Sequence, residues 1–138
     1  MRLKVKRLHP KAKLPTRAYS GDLGYDLYAL TRVILDPLRP TAVPTGISVE
    51  LPEGWGAFVK DRSSMALKGV HTLAGVIDNG YRGEIKVIMV SLRDRVVIEE
   101  GQRIAQMVPV RVVDWEIEEV ENLSESDRRD KGFGSSGR

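Results

Sequence analysis

The chain has 138 residues, of which 41% are hydrophobic and 30% charged, a composition typical of one folded globular domain. It contains no cysteine, which excludes a disulfide framework, a thiol nucleophile and a Cys-ligated zinc site. No apolar run reaches the roughly 18 residues that a membrane span needs, and the N-terminus has no hydrophobic leader. These features predict a cytoplasmic protein without a membrane-bound part.

The charges are unevenly distributed along the chain. No acidic residue interrupts the basic residues up to Arg17, whereas acidic residues dominate from Asp114 to Asp130. A surface that binds duplex nucleic acid usually has a continuous basic face and a recognisable motif, and this sequence has neither. The net charge of +3 therefore does not predict stable nucleic-acid binding. Clusters of Arg and Lys beside Gly and Ser fit a small phosphorylated ligand at least as well.

Alternation of apolar and polar residues predicts strands along most of the chain. The predicted strands cover residues 2–6, 47–51, 84–92, 95–98, 103–113 and 115–120. The one helical candidate is Ser63–Lys68, in which the serines are expected to cap the N-terminus and Gly69 to end the helix. Short strands at this spacing, with Gly and Pro between them, predict an all-β sandwich or barrel with one short helix.

Two segments have the groups that an anion site uses. The run Asp61-Arg62-Ser63-Ser64 opens the predicted helix, where N–H groups, a guanidinium and two hydroxyls can meet a phosphate. Simple helix capping and a pair between Arg62 and Asp61 explain the same residues equally well. The run Gly132–Gly137 offers closely spaced N–H groups and hydroxyls around Phe133. A frayed tail is the commoner explanation for such a composition.

An acidic residue and a tyrosine stand together in the segment Gly75–Glu84. Asp78 follows an apolar triplet, and Tyr81 comes three residues later. The carboxylate can act as a general base on a water molecule, and the ring can face a sugar or a base. The alternative is a tight turn, because Asn79-Gly80 by itself predicts a type I′ hairpin that leads into the next strand.

Two weaker segments complete the set. Asp22 and Asp26 flank a glycine turn and can orient the waters of a bound Mg²⁺, although turn capping is the commoner role of such residues. The segment Gly101–Val108 is predicted to be a strand with one available amide side chain and is uninformative alone.

The order and spacing of five segments closely resemble the five sequence motifs of the trimeric dUTP diphosphatases (dUTPases). The segments are Ala18–Leu27, Arg62–Ser64, Gly75–Glu84, Gly101–Gln106, and Arg128 with Gly132–Gly137. The resemblance extends from about residue 18 to the C-terminus.

The sequence departs from the family pattern in three places. Asp61 stands where a small residue usually precedes the arginine, and Gln102 replaces a common aspartate. Arg129-Asp130-Lys131 fills a stretch that the family makes rich in Gly and Ser. The predicted catalytic positions are intact.

The resemblance implies a jelly-roll-like β-sandwich or barrel over residues 1–127 and a mobile C-terminal arm, 128–138, that closes over an active site. It implies Mg²⁺-dependent hydrolysis of dUTP to dUMP and pyrophosphate, which supplies dUMP for thymidylate synthesis and keeps uracil out of DNA. It also implies a homotrimer in which each active site draws motifs from three chains. The alternatives are a dCTP deaminase or bifunctional deaminase–diphosphatase of the same fold, and a non-catalytic nucleotide-binding module.

The resemblance also implies roles for individual residues. Asp78 is the expected general base for the water that attacks the α-phosphorus, and Tyr81 is expected to stack on the deoxyribose and exclude UTP. A hairpin over residues 72–77 is expected to bind uracil through backbone groups, and Asp26 to contact Mg²⁺ through water. The other implied substrate contacts are Arg62, Ser63, Ser64, Thr72, Gly75, Val76, Ile77, Lys86, Gln106, Arg128, Phe133, Gly134, Ser135 and Ser136.

Overall fold

The structure is a computed structural model that describes residues 1–134. The elements in chain order are β1 (Lys4–Arg7), β2 (Tyr25–Tyr28), β3 (Val33–Leu35), β4 (Thr41–Pro44), β5 (Ile47–Glu50), β6 (Trp55–Asp61), α1 (Ser63–Leu67), β7 (Val70–Leu73), β8 (Val76–Ile77), β9 (Lys86–Ser91), β10 (Val96–Ile98) and β11 (Arg103–Arg111). The prediction of an all-β fold with one short helix is therefore confirmed. No helix in the part of the chain described is long and apolar enough to cross a membrane.

The strands form small antiparallel sheets around one hydrophobic core. One sheet has the order β2-β11-β6-β8 and another has the order β4-β9-β7, while β1 pairs with β5 and β3 pairs with β10. The core includes Leu27, Val43, Ile47, Met89 and Ile104, each at most 1% exposed. Truncating a fully buried side chain such as Met89 to alanine removes about 2–5 kcal/mol of stability.

The most apolar predicted strand is central in its sheet. β9 pairs with β4 on one side and with β7 on the other, as the apolar run at residues 84–92 predicted. The alternation at 47–51 and at 103–113 also matches strands, β5 and β11.

The predicted strand at 115–120 is wrong. Residues 112–134 form no strand or helix, and Trp115 and Ile117 are 79% and 86% exposed. The alternation in this segment is genuine, but within residues 1–134 no sheet edge pairs with it, and an extended segment without a partner strand forms no ladder. β11 ends at Arg111, so the chain leaves the sheets before the predicted boundary between residues 127 and 128.

The predicted serine caps of the helix are also wrong. α1 begins at Ser63, and its N-cap is Arg62, which has extended backbone angles and makes no capping bond through its side chain. The Ser64 hydroxyl instead lies 3.4 Å from Nη1 of Arg62. The predicted end of the helix is confirmed, because Gly69 has a φ of +82° directly after the C-cap Lys68.

Candidate active site

The residues around Asp78 line a cleft of about 440 Å³, here called the Asp78 cleft. It is built from the end of β7, from β8 with the loop that follows it, and from the start of β9. Sequence-predicted site residues in its lining are Thr72, Gly75, Val76, Ile77, Asp78, Tyr81 and Lys86. The structure therefore gathers the predicted site residues of the third motif, with Thr72 and Lys86, at one place.

The segment from Thr72 to Ile77 was predicted as a hairpin, and this prediction is wrong. β7 pairs with β9, whereas β8 pairs with β6, so the segment crosses from one sheet to another. The crossing requires glycine at position 75, where φ is +94° and a Cβ atom would lie 2.5 Å from the carbonyl oxygen of Val59. The N–H of Val59 donates to the Gly75 carbonyl at 2.7 Å and fixes the crossing.

Asn79 anchors the loop behind Asp78. Its Nδ2 donates to the carbonyl oxygens of Pro52 at 2.9 Å and of Trp55 at 2.8 Å. Residues 79–80 do form a turn, but neither has a positive φ, so the type I′ hairpin predicted from Asn79-Gly80 is wrong. The two carbonyl acceptors lie more than twenty positions away in sequence. A local turn pattern therefore could not predict this role of the Asn79 side chain.

The Tyr81 ring is held in place at its hydroxyl end. The hydroxyl donates to the Glu84 carbonyl oxygen at 2.8 Å, and the Tyr81 N–H donates to the Asp78 carbonyl at 3.1 Å. A Cβ atom at Gly83 would lie 2.5 Å from the same hydroxyl, so glycine is needed for the ring to lie there. Asp78 is exposed, and no side chain of residues 1–134 bonds its carboxylate.

A second cleft, of about 350 Å³ and here called the Arg62 cleft, gathers the first, second and fourth motifs. Its lining includes the predicted site residues Asp26, Arg62, Ser63 and Gln106. The register of the sheet explains the grouping, because Gln106 on β11 lies opposite Asp26 on β2. Glycine at position 24 leaves room for the Gln106 side chain, because a Cβ atom at this position would collide with Oε1 of Gln106.

Asp26 lies between two guanidinium groups in this cleft. Its Oδ1 is 3.2 Å from Nε of Arg62, and its Oδ2 is 3.8 Å from Nε of Arg103. The Asp26 side chain is only 19% exposed, so the pair with Arg62 is better protected from solvent than the surface ion pairs of the chain. The sequence analysis missed Arg103 as a site residue, although it lies inside the fourth motif, three residues before Gln106.

Asp61 is a second residue that the sequence analysis assigned no role in the site. Its carboxylate accepts hydrogen bonds from Nδ1 of His71 at 2.7 Å and from the Thr72 N–H at 2.6 Å. Burial raises the pKa of this carboxyl group, but the hydrogen bonds from His71 and Thr72 outweigh it and leave the pKa below its usual value. Asp61 is therefore ionised at neutral pH.

The structure does not bring the two clefts together, because no residue lines both of them. The C-terminal candidates also lie elsewhere. Nε of Arg128 donates to the carbonyl of Lys131, the Phe133 side chain is fully exposed, and neither residue nor Gly134 lines either cleft. The predictions for Ser135 and Ser136 fall outside the described residues.

Comparison with known proteins identifies the family. The sequence profile described as dUTPase matches residues 10–137. The deoxyuridine 5'-triphosphate nucleotidohydrolase of Hydrogenobaculum sp. is 49% identical over 99% of both chains, and that of Clostridioides difficile is 42% identical over 98% of this chain and 97% of the other.

Solved structures agree with this match. The dUTPase of Staphylococcus bacteriophage 80alpha with dUPNHPP superimposes with a TM-score of 0.88 at 30% identity over 99% of both chains. A mutant dUTPase from phage phi11 of S. aureus, described with a structural Mg(II) ion, gives a TM-score of 0.82 at 25% identity over 88% of this chain and 98% of the other. The chain belongs to the dUTPase family and is an enzyme, a dUTP diphosphatase.

Proposed function

We propose that the chain hydrolyses dUTP to dUMP and pyrophosphate by attack of water on the α-phosphorus, with Asp78 as the general base. The observation that carries this proposal is the Asp78 carboxylate, which is exposed at a cleft and has no side-chain partner among residues 1–134. Such a carboxylate is free to accept a proton from a water molecule. The loop that holds it is fixed from behind by Asn79.

The Asp78 cleft is proposed to select deoxyuridine. We propose that backbone donors and acceptors of residues 72–77 meet the pairing edge of uracil, so that the amino group of cytosine would face a donor and be rejected. The same segment is proposed to leave no space for a 5-methyl group, which would exclude dTTP. Tyr81, held by its bond to Glu84, lies against the deoxyribose and excludes a 2′-hydroxyl. Lys86, at the start of β9, is an additional nucleotide contact.

The Arg62 cleft is proposed to hold the phosphates through Arg62, Ser63, Ser64 and Gln106. A guanidinium and hydroxyls beside it match the oxygen atoms of a polyphosphate chain. Positioning of the substrate and neutralisation of its charge then supply most of the rate enhancement.

We propose that Mg²⁺ is the cofactor and that Asp26 contacts it through water. Two arginines and two aspartates line the Arg62 cleft, so their charges cancel and a bound polyphosphate needs a further cation. No group of three or more His, Cys, Asp or Glu residues in positions 1–134 could enclose a metal ion. The donor set therefore fits an ion that keeps water and phosphate ligands, as Mg²⁺ does. When bound, the ion supplies neutralisation of the triphosphate charge.

The proposed assembly is a homotrimer with shared active sites. The residues proposed for deoxyuridine binding and for phosphate binding line two clefts that have no residue in common. This arrangement is expected if each site combines clefts of different chains. The exposed apolar side chains of the segment after β11 also favour association, because large exposed apolar groups mark contact surfaces.

The arm at residues 128–138 is proposed to close over the assembled site. Arg128, Gly134, Ser135 and Ser136 would meet the phosphates, and Phe133 would cover the uracil. A fully exposed Phe133 is consistent with a side chain whose partner is the bound substrate. The proposed setting is cytoplasmic, where the enzyme supplies dUMP for thymidylate synthesis and keeps uracil out of DNA.

A turnover panel with dUTP, dCTP, dTTP and UTP, each with and without Mg²⁺, tests this function. Pyrophosphate release from dUTP alone, only with Mg²⁺, is the expected result. Ammonia release from dCTP would indicate the deaminase, and binding of dUTP without product would indicate a non-catalytic module. Either outcome would overturn the proposal.

A further inference from the structure

Asp61 bonds three parts of the structure at once. It is the last residue of β6 and lies opposite Ala105 of β11. Its carboxylate accepts from His71 and Thr72 at 2.7 and 2.6 Å, and its carbonyl oxygen accepts from Nε2 of Gln106 at 2.8 Å. Thr72 is 8% exposed, so its N–H depends on this carboxylate for a partner.

These bonds connect the two sheets that carry the clefts, although no residue lines both clefts. β6 belongs to the sheet that carries Gln106 and leads directly into Arg62, whereas β7 belongs to the other sheet and leads into the crossing at Gly75. The side-chain bonds of Asp61 therefore connect the sheet of the Arg62 cleft to the first residue of the segment that lines the Asp78 cleft.

We propose that Asp61 is a positioning residue for deoxyuridine binding, which it secures by holding the start of the 72–77 segment against β6. The inference rests on the function proposed above, in which that segment binds uracil. His71 orients the carboxylate by occupying Oδ2, which leaves Oδ1 directed at the Thr72 N–H.

The two clefts are expected to respond differently to loss of this side chain. In Asp61→Ala the buried Thr72 N–H loses its acceptor, and the 72–77 segment moves to find another. The bond from Gln106 goes to the backbone carbonyl of residue 61 and survives the substitution. Deoxyuridine binding should therefore weaken while phosphate binding persists.

The experiment measures dissociation constants of dUMP and of pyrophosphate with Mg²⁺ by calorimetry, well below the melting temperature of each variant. Asp61→Ala should weaken dUMP binding by about tenfold, the effect of an unpaired buried donor, and leave pyrophosphate binding unchanged. His71→Ala should weaken dUMP binding less, and His71→Asn, whose Nδ2 can replace the imidazole Nδ1 as donor, should restore it. Glu99→Gln, which removes the exposed pair with Arg32, is the matched control and should change neither constant.

Hydrogen exchange of the unliganded protein gives a readout that does not depend on the substrate. The Thr72 amide should be protected in the wild type and in His71→Asn, and should exchange faster in Asp61→Ala. Unchanged exchange and unchanged dUMP binding in Asp61→Ala would overturn the inference, as would equal losses of dUMP and pyrophosphate binding. Faster exchange of the Thr72 amide in Asp61→Ala, together with a wild type that does not bind dUMP, would instead overturn the proposed function.

Discussion

The Tyr81 hydroxyl donates a hydrogen bond to the carbonyl oxygen of Glu84 at 2.8 Å. This bond ties the far end of the ring to the backbone of its own loop, so the ring edge has a fixed position in the Asp78 cleft. A fixed ring can exclude a substituent as small as one hydroxyl, whereas a ring free to rotate would yield to it.

Tyr81→Ala should therefore raise the kcat/KM for UTP relative to that for dUTP by about tenfold or more, because the steric barrier is removed. Tyr81→Phe keeps the ring and loses only the bond to Glu84, so its UTP/dUTP ratio should rise less. The ratio is measured with both substrates at saturating Mg²⁺. An unchanged ratio in Tyr81→Ala would place the barrier elsewhere.

Asn79→Asp should lower kcat at neutral pH more than Asn79→Ala does. Both substitutions remove the two donors to Pro52 and Trp55, but an ionised carboxylate would also face two carbonyl oxygens. The Asp78 loop should be displaced furthest in the aspartate variant. The check is kcat for dUTP with each variant, and equal activity of Asn79→Asp and the wild type would contradict the anchoring role.

The lowered pKa of Asp61 predicts an acid-dependent contribution to stability. A carboxyl group whose pKa is lower in the folded than in the unfolded state stabilises the fold at pH values above its unfolded-state pKa, near 3.9. This stabilisation is lost as the pH falls through the folded-state pKa. Asp61→Asn should therefore be less stable than the wild type at pH 7, and the difference should shrink below about pH 4. Urea unfolding at a series of pH values measures this. A difference that does not depend on pH would contradict the ionised role of Asp61.

Deletion of residues 128–138 should leave the melting temperature nearly unchanged and remove most of the turnover. The described part of this segment makes its hydrogen bonds locally and buries no large side chain, so little stability depends on it. Phe133→Ala should lower kcat/KM for dUTP by roughly ten- to a hundredfold, the usual value of stacking on a base. Full activity of the deleted enzyme would contradict the closing arm.

The strands that were predictable from the sequence are those with strict alternation or a continuous apolar core. β5, β9 and β11 follow from Ile47, Val49, Val87, Met89 and their neighbours because each pattern matches the face that the strand buries. The crossing at residues 72–77 was not predictable, because β7 and β8 lie close in sequence and resemble a hairpin. Which sheet each strand joins is decided by pairing with β9 and β6, far away along the chain.

The part of the site that was predictable from the sequence consists of residues in the five family motifs. The residues that the family resemblance assigned to base and phosphate binding before the arm are mostly found lining one of two clefts. Asn79 and Asp61 were not assigned their roles, because these depend on long-range acceptors and donors such as Pro52 and Thr72. The separation of the two clefts also depends on the tertiary structure, so no local sequence pattern predicts it.

Subunit complementation is the most direct test of the central claim that Asp78 and Arg62 of different chains form one active site. Asp78→Asn and Arg62→Ala homotrimers should each be nearly inactive, since loss of a general base alone costs about 10²–10⁴ in rate. Unfolding the two variants together in equal amounts and refolding them should restore activity at about a quarter of the sites. In a randomly assembled trimer, half of the chains have an intact Asp78 and half have an intact Arg62, so about one site in four combines the two. Activity of the mixture no higher than that of the separate variants would contradict the shared site.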